Sequence, residues 1–79
     1  MLTAAQVLDR YYLDTRCMLL EIAATLDRYD RAGGRDAAGT ADTAERHAAI
    51  YRGLDILADR SASPDRAERL LMLLSDPAE

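Results

Sequence analysis

Glu21 is the one charged residue in the run Cys17 to Leu26 (CMLLEIAATL), and it is the sharpest chemical signal in the chain. A carboxylate held among apolar neighbours has a raised pKa and suits a metal ligand or a general base. In di-metal carboxylate bundles such a glutamate works with a Glu-x-x-His pair on a facing helix. That pair is missing here. Glu45 and His47 stand two apart, so on a helix their side chains diverge by about 200°. On the helical wheel Glu21 falls in a polar row with Asp14 and Arg28, which reads more simply as a solvated edge. The metal-binding alternative takes Glu21, Asp14, Glu45 and His47 as ligands of a carboxylate bundle. Its site is completed at a dimer interface, where two-fold symmetry doubles every ligand.

The chain has a single histidine and a single cysteine. His47, one turn from Ile50 and Tyr51, reads as a packed residue donating one hydrogen bond, with Asp27 or Asp30 as the candidate acidic partner. Cys17 has no activating group at useful spacing and reads as a small apolar residue at an interface. No phosphate loop, nucleophile elbow, CxxC pair or HExxH motif occurs. The preferred reading therefore assigns no catalytic residue, no cofactor and no metal.

What must position these groups is helical. Apolar residues at Ala4, Leu8, Tyr11, Tyr12, Thr15, Met18, Leu19, Ile22, Ala23, Leu26 and Tyr29 follow i, i+3, i+4, i+7 spacing, which predicts one helix over about 4–32. The same helix carries a second, narrower strip at Leu13, Cys17, Leu20 and Ala24. Gly33-Gly34 closes it with a left-handed residue, and 33–41 (GGRDAAGTA) reads as a flexible connection. Asp42, with Glu45 three residues on, suggests the N-cap of a second helix over about 43–60, with Thr40 as the rival cap. Its expected apolar face is Ala44, His47, Ile50, Tyr51, Leu54, Leu57 and Ala58. Ser63 as N-cap and Pro64 at the first helical position start a third helix over about 64–74. That helix presents Ala67, Leu70, Leu71, Leu73 and Leu74, with Met72 alone on its other side, and the tail from Ser75 should fray. Asp and Arg recur at spacings that suit i, i+4 pairs such as Arg10 with Asp14 and Asp27 with Arg31. The tetrapeptide Leu-Asp-Arg-Tyr at 8–11 returns at 26–29, five helical turns on, so both copies point the same way.

A chain of 79 residues is at most one small domain, and such a core rarely supplies more than about 3–5 kcal/mol. One cysteine permits no internal disulfide, which leaves oligomerisation as the stabilising device. Helices 2 and 3 placed end to end match the length of the broad strip and leave the Leu13–Ala24 strip bare. The net charge is −4, and all ten basic residues are arginine. An acidic chain without a basic stripe is a poor nucleic-acid binder. No run approaches the length of a membrane span, and no signal-peptide pattern opens the chain, which places it in the cytosol.

The segments 19–32 (LLEIAATLDRYDRA), 64–67 (PDRA) and 73–77 (LLSDP) resemble a group of short, uncharacterised bacterial all-helical proteins. The resemblance implies a helical fold and, with no activity established for that group, transfers no site. The expectation is an all-α hairpin of three helices, one of them long, pairing into a homodimeric bundle through Leu13, Cys17, Leu20, Ala24 and Met72. Its role would be that of a cytoplasmic interaction or scaffold protein without catalytic activity. The alternatives are the carboxylate metal bundle and a small regulator of an unknown protein partner.

Overall fold

The computed structural model describes residues 1–33, 40–61 and 63–75, and among these it holds three α-helices and no strand. The chain divides into two compact units, Met1–Ala37 and Ala38–Glu79. The first contains α1, Ala4–Arg31, and the second contains α2, Ala41–Ala58, and α3, Arg66–Leu74. Most of the expected connection, 34–39, lies outside the described residues, as do Ala62 and 76–79 of the tail.

Both ends of α1 are built from local chemistry. The Thr3 hydroxyl accepts the Gln6 N–H at 3.1 Å, and the Gln6 side chain accepts the Thr3 N–H at 2.9 Å, a reciprocal capping box. At the other end Gly33 has φ +85°, and its N–H donates to the Asp30 carbonyl. The left-handed geometry expected there is present, and it costs glycine nothing because no Cβ meets the carbonyl. Thr15 donates its hydroxyl to the Tyr11 carbonyl at 2.9 Å, which satisfies that polar group within the helix.

The second helix begins two residues earlier than expected. Thr40, not Asp42, caps it by accepting the Thr43 N–H at 3.1 Å. Asp42 instead sits in the first turn and pairs with Arg46 at 3.1 Å. This is the i, i+4 pair that forms; Arg10 with Asp14 and Asp27 with Arg31 do not pair among the described residues. The helix also ends earlier, at Ala58. The Asp59 carboxylate accepts both the N–H and the hydroxyl of Ser61 (3.2 and 2.9 Å), and this local turn displaces the next helical bond.

The third helix is the largest departure. It starts at Arg66, with Asp65 at the cap position making no side-chain hydrogen bond, so neither Ser63 as cap nor Pro64 as first residue holds. Ser63 contributes its carbonyl instead, accepting the Asp65 N–H. Nor does α3 run on end to end from α2. It folds back against α2 at Gly53, the one buried residue among those described. A Cβ at Gly53 would stand 3.1 Å from Leu70 Cδ2 and 3.9 Å from Leu73 Cδ2.

That contact uses the side of α2 that includes Ala49, Gly53 and Ile56. By helical geometry this lies about 140° around the axis from the expected apolar face. Ala49, Ile56, Leu70 and Leu73 are half-buried; on the expected face Ile50, Tyr51 and Leu57 stay exposed, while His47 and Leu54 are half-buried. Leu70 meets α2 at Gly53, whereas Leu74, on the same expected apolar face of the third helix, is 63% exposed. Leu71 and Met72 are exposed as well.

Glycine inside a helix costs about 1 kcal/mol relative to alanine. Gly53→Ala recovers that cost, and the Leu70 terminal methyl, on a short half-exposed helix, can yield a few tenths of an ångström. Thermal melting should show Gly53→Ala neutral to slightly stabilising, by no more than about 1 kcal/mol. Gly53→Leu cannot be accommodated so cheaply. It should separate α3 from α2, seen as a loss of amide protection across 66–74, and unchanged protection would show that close approach at Gly53 is not what seats α3.

Candidate functional site

The polar centre of the second unit is Asp59, where α2 ends. One carboxylate oxygen takes both Ser61 donors, and the other lies 3.4 Å from Arg69 Nη1. The Asp59 carbonyl accepts a hydrogen bond from Arg66 Nη2. Two arginines from α3 thus meet the C-terminal end of α2, where the helix dipole favours cations. The Ser61 hydroxyl first, then the Ser61 N–H, hold the Asp59 carboxyl below its ordinary value; desolvation opposes them, and Arg69 adds a lesser lowering. The arrangement can fasten the turn that follows α2 to the start of α3.

Asp14 and Glu21 are exposed on α1, two turns apart, while Glu45 and His47 belong to α2. Among the described residues no group of three or more His, Cys, Asp or Glu side chains could hold a metal ion. The His47 ring packs edge-on against Tyr51, with centroids 5.2 Å apart and an interplanar angle of 63°. Cys17 is an exposed free thiol.

An open groove of about 850 Å³ runs along the first half of α2 to the end of α3. Its floor is made of small residues, Ala44, Ala48 and Ala49, with Leu73 and Leu74 at one side. Asp42, Glu45, Arg46 and Arg52 also line it, and Arg46 is already paired with Asp42.

The most extended feature is the apolar surface of α1. No α1 residue is buried. On the broad strip Leu8, Tyr11, Tyr12, Met18 and Leu19 are exposed, and Ile22, Leu26 and Tyr29 are half-buried. On the narrow strip Leu13 and Leu20 are 65% and 56% exposed, with Cys17 and Ala24 exposed between them. The expected interface residues, Met72 included, therefore all lie open in the single chain. Gly53 and Asp59 escaped sequence reasoning. A lone glycine in a helical pattern was a usable signal for close packing, but nothing local marked Asp59 as a partner of Arg66 and Arg69.

No described helix is long and apolar enough to cross a membrane. No protein-family model, curated protein or solved structure matches the chain.

A carboxyl whose pKa is lowered on folding stabilises the folded state above its unfolded pKa, and that contribution is lost as pH falls through the lower folded value. Asp59 should behave so, its contribution complete above the ordinary carboxylate value of 3.8 and disappearing below it. Melting temperature followed from neutral to acid pH should therefore fall less steeply at the acid end in Asp59→Asn than in the parent chain. Parallel curves for the two proteins would show that the Ser61 and Arg69 contacts do not stabilise the carboxylate.

Proposed function

We propose that this chain is a small cytosolic interaction or scaffold protein that binds rather than catalyses, and that it pairs through α1 into a homodimeric bundle. The observation that carries the reading is the exposed strip Leu13, Cys17, Leu20 and Ala24 on a 28-residue helix with no buried residue. Fully burying a leucine side chain is worth about 1.5–3 kcal/mol. Most helical stability in proteins comes from packing an apolar face and not from intrinsic propensity. A second copy of the chain supplies such a face, the more so as the chain's concentration rises. The broad strip remains available for the chain's other helices or for a further partner.

Sedimentation equilibrium at micromolar concentration should give twice the chain mass. Leu20→Asp should dissociate the pair and lower helicity with it, because an unpaired charge in an apolar interface is strongly destabilising. A monomer that keeps full helicity and melts cooperatively would sink the proposal.

A further inference from the structure

Resting on that reading, we infer that two copies pair antiparallel along the narrow strip of α1, with the two-fold axis between Met18 and Leu19. The strip has coiled-coil spacing, with Cys17 and Ala24 seven apart on one register and Leu13 and Leu20 seven apart on the other. The next position of the pattern towards the N-terminus is Arg10, and the next towards the C-terminus is Asp27. The apolar strip therefore ends in a cation on one side and an anion on the other. Neither has an ion-pair partner among the described residues; the Arg10 guanidinium lies 5.8 Å from the centroid of the Tyr11 ring.

The two orientations differ in what they set face to face. Parallel pairing puts Arg10 against Arg10 of the partner subunit and Asp27 against Asp27 of the partner subunit, like charges at both ends. Antiparallel pairing puts Arg10 against the partner's Asp27, twice by symmetry. Volume gives a second, independent argument. Parallel pairing alternates layers of two leucines with layers of two small residues, so that the helices are wedged apart at some levels and gapped at others. Antiparallel pairing places Leu13 against the partner's Ala24 and Leu20 against the partner's Cys17. Every layer then holds one large and one small side chain, which fills evenly at one interaxial distance. One flank opposes this orientation, since Asp14 comes beside Glu21 of the partner subunit.

Cys17 then has a specific place. Facing leucine, it is staggered from the partner's Cys17 by three residues, about 4.5 Å of helical rise. Added to the gap between the helices, that stagger carries the two Cα atoms past the limit of about 7 Å for a disulfide. In parallel pairing the two thiols would share a layer.

Single-cysteine chains test this. Leu13→Cys and Ala24→Cys are each made on a Cys17→Ser background, mixed in equal amounts, re-equilibrated and oxidised mildly, and the disulfides are identified by mass spectrometry. The expected product is the mixed species joining position 13 of one chain to position 24 of the other, with each homodimeric disulfide at background. Homodimeric 13–13 and 24–24 disulfides would overturn the antiparallel arrangement. A dimer by sedimentation that forms no disulfide in either variant also overturns it, because pairing then uses another face while the homodimer reading stands. A monomer by sedimentation removes both. The parent chain gives a check free of substitutions: under the same oxidant Cys17 should stay a titratable thiol in the dimer, and stoichiometric Cys17–Cys17 crosslinking would overturn the inference.

Discussion

Removal of apolar surface from water is the dominant favourable term in folding, and this chain has little of it to show for itself. Among the described residues only Gly53 is buried, and no apolar side chain is. Sixteen large apolar residues are exposed, eight of them between Val7 and Leu20. Single exposed leucines are ordinary on a protein surface, but contiguous ones at helical spacing mark a place where something binds. The N-cap of α1 adds typically about 1 kcal/mol, and the caps set where the helix starts and stops without supplying a reason for 28 residues to stay ordered. An apolar partner surface, as proposed above, would supply the missing term.

The second unit meets the same shortage differently. With few large side chains between α2 and α3, it brings the backbones close at a glycine and ties the open end with polar contacts. Gly53 lets the Leu70 and Leu73 methyl groups reach the α2 backbone. Asp59 draws Ser61, Arg66 and Arg69 to the end of α2. The two devices depend on each other: the arginines reach Asp59 only if α3 doubles back, and α3 is directed back by the turn that Asp59 makes with Ser61. Tyr51, on the opposite side of α2, is left exposed by this choice, as are Ile50 and Leu57 to either side of Gly53 along the helix.

The existence of the three helices was legible because apolar spacing and the Gly33 stop are local signals that nothing long-range contradicts. The ends were less legible for specific reasons. Thr3-x-x-Gln6 is a capping box within reach of sequence inspection, and Thr40 outcompetes Asp42 because capping from two residues further back adds two residues to the helix. Ser63-Pro64 has the right residue types for a helix start, yet α3 begins at Arg66, the residue that also binds the Asp59 carbonyl seven positions away. Local rules do not see that contact. The face of α2 that meets α3 was illegible for the same cause: hydropathy ranks Ile50 and Leu54 above Gly53, while packing distance ranks them the other way. Glu21 and Asp14 read more simply as a solvated edge than as ligands, and both are exposed; the ligand reading needs a second chain, which no single sequence displays.

An α-helix with apolar strips on opposite sides cannot satisfy both with one neighbour. The broad and narrow strips of α1 lie about 170° apart around the axis, so a helix covering one leaves the other in water. Pairing two copies through the narrow strip turns both broad strips outward, on opposite sides of the pair, each lined by Leu8, Tyr11, Tyr12, Met18 and Leu19. The tyrosines suit such a surface, since their rings bury apolar area while the hydroxyls reach a wet edge. Under antiparallel pairing the two outward strips also run in opposite directions. In the proposed pair, binding would be a property of the two-fold body and not of any one residue, its two equivalent apolar faces holding two partners, or two parts of its own chains, at a fixed separation.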